Sequence, residues 1–180
     1  MSLLKSSFEQ IPDPRRGQGK MYDLPNMLLF SVLAVASGAI SYRRIHQFIT
    51  IHLHRLKAAF DCRWRRAPAY SSVRYALQGL KASEVEQIFR LHANSLEDKK
   101  KSCIAIDGKT LRGSLDHFED KKAAQVLSAL AVEDQLVLGH ILIEDSSKDH
   151  EIQAAQRLIE ELNLTGRVFT LDALHLQKNR

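Results

Sequence analysis

Apolar residues recur three and four apart through the first half of the chain and crowd into short continuous runs through the second. The first pattern predicts amphipathic helices and the second buried strands. Leu24 to Gly38 reads as a buried helix, with Gly38 as its C-terminal stop. Ser41 caps a second helix. Its Ile45, Phe48, Ile49, Leu53, Leu56 and Phe60 share one face, and Arg43, Arg44, Gln47, His54 and Arg55 fall mostly elsewhere. Asp61 to Pro68 is a basic turn. Ser71 or Ser72 opens a third helix through Val73, Ala76, Leu77 and Leu80. Ser83 with Glu86 makes a capping box for a fourth, through Val85, Ile88 and Phe89. The charged run Glu97 to Lys101 is a linker, which places a helical domain at residues 1–98 and a second domain at 102–180.

In that second domain Cys103 to Asp107 is an apolar run closing on a carboxylate and a glycine. Ala124 to Val132 and Leu136 to Ile143 are apolar on both faces and flank Glu133-Asp-Gln135, so they predict a hairpin of buried strands. Asp149 starts an amphipathic helix with Ile152, Ala155, Leu158, Ile159 and Leu162 inward, ending at Asn163 to Gly166. Arg167 to Asp172 is a last strand, again closing on a carboxylate. The fold class is α+β / α/β: a helical N-terminal domain, then β-β-β-α-β.

Composition narrows this little. Of 180 residues, 44% are hydrophobic and 26% charged, which excludes wholesale disorder. Two cysteines, Cys62 and Cys103, exclude a disulfide scaffold and a four-cysteine zinc site and fit a reducing compartment. The longest apolar stretch falls short of the ~20 residues that cross a bilayer, so no membrane association is expected. Charge is more informative. Residues 1–102 carry 17 Lys/Arg against 8 Asp/Glu, or +9, whereas residues 103–180 carry 9 against 13, or −4. A basic front half suits a polyanion such as DNA, and clustered carboxylates in the back half suit a divalent cation.

The two strands that close on Asp carry the chemistry. The intervening helix lets the last strand return parallel to the first. As neighbours they would lie ~4.8 Å apart, with Asp107 and Asp172 at the carboxyl edge where open α/β sheets bind ligands. Two carboxylates that close repel unless a cation lies between them, and Mg²⁺ takes hard oxygen donors. Either Asp alone reads equally well as a turn former or cap.

Five segments resemble the bacterial insertion-sequence transposases of the H-repeat-associated group, which are DDE enzymes with a ribonuclease-H-like core. Ala105-Ile-Asp-Gly-Lys-Thr-Leu-Arg-Gly-Ser114 is similar to that family's first catalytic-Asp motif, and Thr170-Leu-Asp-Ala-Leu-His-Leu-Gln177 to its second. Ile11-Pro-Asp-Pro-Arg-Arg16 resembles its N-terminal Asp-Pro-Arg motif, and Leu136-Val-Leu-Gly139 its third strand. Lys148-Asp-His-Glu-Ile152 resembles its Lys-x-Asn-Glu-Ile motif, with His150 where Asn is usual. The resemblance implies that the second domain is the first part of a ribonuclease-H-like core. Asp107 and Asp172 are then the first two acids of a triad holding Mg²⁺ or Mn²⁺, with a two-metal site in the intact enzyme. It implies hydrolysis at transposon ends followed by joining to target DNA, in the bacterial cytoplasm at the nucleoid. The third acid, a Glu, is expected beyond residue 180. The chain thus reads as a truncated front half that cuts DNA little or not at all.

The resemblance also places the remaining candidates. Lys109 and Arg112 follow the first Asp closely enough to reach DNA phosphates; His175 and Lys178 follow the second on the same edge. Glu144 and Glu151 are weighed as stand-ins for the missing acid, although Glu151 near a helix start is equally explained by the dipole. Arg15, Arg16, Lys20, Arg43, Arg44, Arg63, Arg65 and Arg66 are the candidate DNA surface. Trp64 and Tyr70 read as core before they read as base-stacking groups, and His46, His52 and His54 as unremarkable rather than metal ligands. The rival function is a non-catalytic DNA-binding remnant that occupies transposon ends, and a more distant one is an unrelated two-carboxylate Mg²⁺ hydrolase. A last strand left as an apolar edge predicts self-association, or association with a full-length transposase.

Overall fold

A computed structural model describes residues 3–96, 103–111, 125–143 and 148–171, and the side chains of Gln18 and of residues 148–151 lie outside that description. The chain divides into two compact units, Met1–His92 and Ala93–Arg180. No helix among the described residues is long and apolar enough to cross a membrane.

The first unit is helical: α1 (Leu3–Phe8), a 3₁₀ turn (Gly17–Met21), α2 (Leu24–Ala36), α3 (Tyr42–Phe60), α4 (Tyr70–Gln78) and α5 (Ala82–Leu96), whose last turn falls in the second unit. Asp23 caps α2, its Oδ2 accepting from the Asn26 N–H at 3.0 Å, with Pro25 in the first turn. At the other end the Gly38 N–H donates to Val35 and the Ala39 N–H to Ala34, both at 2.9 Å. That reversal needs a left-handed residue, and Gly38 supplies it at φ 92°. Ser41 caps α3 by accepting from the Arg44 N–H at 3.3 Å. Phe8, Met27, Phe30, Ile49 and Val73 are fully buried between these helices. Cys62 packs in the same core, and burial pushes its thiol up.

Helix starts differ from the sequence expectation in two places. The third helix begins at Tyr70, one position before Ser71 and two before Ser72, behind an Ala69 that offers no side-chain cap. The fourth begins at Ala82, so Ser83 is already helical and the expected capping box is replaced by a Lys81–Glu84 ion pair at 3.2 Å. The short helix α1 and the 3₁₀ turn have no capping or periodic signal of usable length, and the sequence reading does not find them.

Between α1 and the 3₁₀ turn the chain is held by Asp13-Pro14-Arg15. Asp13 Oδ1 accepts from the Arg15 N–H at 3.1 Å and its Nε at 2.9 Å, and Oδ2 accepts from Nη2 at 2.8 Å. The same Nη2 donates to the Tyr22 carbonyl at 2.8 Å. Hydrogen bonding to the Arg15 side chain holds the Asp13 carboxyl below its ordinary range, against a smaller upward push from burial. A lowered carboxylate pKa stabilises the fold above the ordinary range, and that stability is lost as pH falls through the lowered value. Asp13→Asn is therefore expected to cost about 1–3 kcal/mol at neutral pH. The cost should shrink steadily below about pH 4, where unfolded carboxylates protonate. Urea unfolding followed by circular dichroism at stepped pH checks this. A pH-independent difference would refute it.

The second unit is a four-stranded mixed sheet in the order β3-β2-β1-β4: β1 (Cys103–Thr110), β2 (Gln125–Ala131), β3 (Leu136–Ile143) and β4 (Val168–Thr170). Helix α6 (Lys148–Leu162) links β3 to β4, giving the expected β-β-β-α-β order. β1, β2 and β3 are antiparallel neighbours, and β4 runs parallel to β1. The β2–β3 turn carries Gln135 at φ 54°, and a bulge lies between Ala129 and Leu130. Ile104, Ile106, Leu127, Ala129 and Leu138 form one core with Ala154, Ala155 and Leu158 of α6.

Two strand expectations need correction. β1 does not close on Asp107, because its antiparallel ladder with β2 runs on to the Thr110–Gln125 pair and carries Asp107 mid-strand. Nor are the hairpin strands buried on both faces. α6 covers one face, and on the other Val137, Leu142 and Val168 are half or more exposed among the described residues.

Candidate functional site

Alternation along β1 fixes where Asp107 points. Ile104 and Ile106 face the α6 side and are buried, so Cys103, Ala105, Asp107 and Lys109 take the opposite face. Asp107 is well exposed there, with Lys109 Nζ at 3.9 Å from its Oδ2. Ser128 lies directly across from it on β2, and His140 across from Ser128 on β3. A carboxylate, a hydroxyl and an imidazole thus form one row over three strands. Sequence reasoning misses that row, because only the register discloses it.

β4 flanks β1 on the other side. Cys103 pairs with Val168, Ile104 with Phe169 and Ala105 with Thr170. Asp172 lies outside the described residues, directly after Leu171, as do Arg112, Glu144, His175 and Lys178. Glu151 lies in the first turn of α6, and its side chain is outside the description. Among the described residues no group of three or more His, Cys, Asp or Glu is placed to hold a metal ion.

The basic residues fall into three settings. Lys20, Arg63, Arg65 and Arg66 line a single cleft with Met21, Tyr22, Asp23 and Trp64; it encloses about 590 Å³. Arg15 does not line it: its side chain is only 9% exposed and clamps the Asp13 loop. Arg16 is exposed at the start of the 3₁₀ turn. Arg43 and Arg44 are exposed in the first turn of α3, which holds no acidic residue. The helix dipole disfavours cations there, so helix stability does not explain them.

Trp64 forms the cleft's inner wall. It is 5% exposed, stacks edge-on against Tyr22 and Phe30 with centroids 5.2 Å apart in each pair, and donates its Nε1–H to Asp23 Oδ1 at 2.7 Å. Asp23 therefore spends one oxygen on α2 and the other on Trp64. The sequence does carry a signal for this residue: Asp followed two places later by Pro before an apolar run is a helix-start signature. Tyr70, by contrast, is 37% exposed against His46.

The described residues thus combine a helical unit bearing a cationic cleft with a mixed sheet bearing an exposed carboxylate on β1. Comparison with known proteins makes this specific. Residues 5–93 match the domain family described as DDE_Tnp_1-associated. The "H repeat-associated putative transposase YbfD" of Escherichia coli K12 is 31% identical over 182 residues, covering 99% of this chain and 70% of its own length. The chain belongs to this H repeat-associated transposase family. The "H repeat-associated putative transposase YhhI" and "Putative protein YbfL" of the same organism are each 32% identical over 99% of the chain, which spans 47% of either relative. No solved structure matches significantly.

Proposed function

We propose that the chain serves DNA transposition, its helical unit gripping transposon-end DNA and its sheet supplying two acids of a DDE centre on a ribonuclease-H-like core. The supporting observation is the parallel pairing of β1 with β4. Asp107 stands two places after Ala105, and Asp172 two places after its partner Thr170. Equal offsets on parallel neighbours would set the two acids side by side if the register continues. An exposed carboxylate with only a 3.9 Å lysine contact is a suitable hard oxygen donor for Mg²⁺ or Mn²⁺. Asp107 and Asp172 would hold that cation, which when bound lowers the pKa of an attacking water and offsets charge on the phosphate. Lys109 and Arg112 would sit beside the phosphate, with His175 and Lys178 following the second acid. The third acid is assigned to no residue here, so the chain alone is expected to bind DNA and cut it poorly.

The second reading, a non-catalytic DNA-binding protein that occupies transposon ends, is favoured by the division of features: the cationic cleft lies wholly within the first unit. One experiment separates the two. The purified chain is incubated with a transposon-end duplex and Mg²⁺ or Mn²⁺. Nicking that falls to background in Asp107→Asn, with binding unchanged, supports the two-acid centre. Nicking that survives the substitution sinks it. Salt-sensitive binding with no nicking at all favours the second reading.

A further inference from the structure

We propose that the cleft between the 3₁₀ turn and the 61–66 loop seats an unpaired DNA nucleotide with its flanking phosphates, rather than the backbone of an intact duplex. This rests on the DNA-binding reading above and narrows it. Lys20, Arg63, Arg65 and Arg66 make no ion pair among the described residues, although Lys20 lies near enough to Asp13 to help lower its carboxyl. The one carboxylate in the lining, Asp23, is engaged at both oxygens, by Asn26 and by Trp64. What remains attracts anions.

The shape selects among anions. Duplex phosphates lie along a convex ridge and are met by side chains reaching outward. A concavity of about 590 Å³ instead falls in the size range of small-ligand pockets. Its lining is mixed, with cationic heads around Tyr22, Trp64 and the side chain of Met21, which is 73% exposed. A planar base, whose faces stack on apolar groups, joined to an anionic phosphate matches that mixture, and a methionine thioether makes favourable contact with aromatic rings. A second hollow of about 430 Å³ shares Met21, Tyr22 and Arg66 and reaches Ala69 and Ser72. Ala69 leaves the first turn of α4 without a side-chain cap, so a neighbouring phosphate there meets free N–H groups and the positive end of the helix. A base already unpaired enters without the cost of unstacking.

Fluorescence anisotropy with three labelled DNAs tests this: a blunt duplex, the same duplex with a short single-stranded tail, and the tail strand alone. The tailed duplex should bind about tenfold more tightly than the blunt one, as one or two seated bases allow. Met21→Ala, at an exposed position, should weaken tailed-duplex binding more than blunt-duplex binding and so remove most of that preference. Arg65→Ala with Arg66→Ala should weaken tailed binding and lower its salt slope by about one for each phosphate that is no longer neutralised. Equal affinity for blunt and tailed DNA overturns the proposal while leaving DNA binding intact. So does a tail preference that Met21→Ala and the double arginine variant do not touch. No binding to any of the three overturns the DNA reading as well.

Discussion

Replacing Trp64 by alanine should lower the unfolding free energy of the N-terminal unit by about 3–5 kcal/mol, the range for removing a buried aromatic side chain. Trp64 is a keystone between separate stretches of chain. Its ring meets Tyr22 before α2 and Phe30 within α2, and its N–H reaches Asp23 from 41 residues away in sequence. The variant leaves a void beside Phe30, which is itself fully buried. Three companions resolve the contributions. Trp64→Phe keeps most of the ring and gives up the hydrogen bond, so about 1–2 kcal/mol is expected. Asp23→Ala withdraws the α2 cap, at about 0.5–2 kcal/mol, and strands a buried donor, at about 1–3 kcal/mol more. Asp23→Asn keeps one acceptor oxygen where two are in use, so it should lose either the cap or the Trp64 bond and cost about 1–3 kcal/mol. Urea unfolding monitored by far-ultraviolet circular dichroism ranks the four. A loss below about 1 kcal/mol for Trp64→Ala would show that the junction carries no weight.

The second large effect is expected in the sheet unit. Leu158→Ala should cost about 2–5 kcal/mol, while Gln156→Ala on the exposed side of the same helix should stay within about 0.5 kcal/mol. Leu158 is fully buried where α6 packs on β3 and β2. The functional consequence is sharper than the stability loss. Among the described residues three pairs hold β4 to β1, and α6 is the crossover that delivers it there. Loosening α6 should raise amide exchange at Val168, Phe169 and Thr170 before it raises exchange at Leu127 or Ala129. Uniform acceleration over the whole sheet would show that β4 is not separately dependent on α6.

Local signals in the sequence account for α2, α3 and the β2–β3 hairpin. Each has a helical or strand repeat several residues long and punctuation at its ends: Asp23 and Gly38 for α2, Ser41 for α3, Glu133-Asp-Gln135 for the hairpin. Where a cap signal conflicts with packing, packing decides, as at Ser83, which is drawn inside α5. Asp107 shows a related limit. A carboxylate followed by glycine looks like a strand end, but a long antiparallel partner extends the ladder past it. The basic residues show another. Composition marks all of them alike, yet Arg15 is consumed by a loop clamp whereas Lys20 and Arg63 to Arg66 share a cleft. Separating these roles requires proximity between positions more than forty residues apart, to which no local pattern refers.

Trp64 has one more consequence. It is the sole tryptophan in the sequence, and it forms a wall of the cationic cleft. Its emission therefore comes from a single position beside the cleft, so the natural protein needs no added dye: titrating an unlabelled oligonucleotide while reading indole intensity follows the surroundings of that position as a ligand arrives.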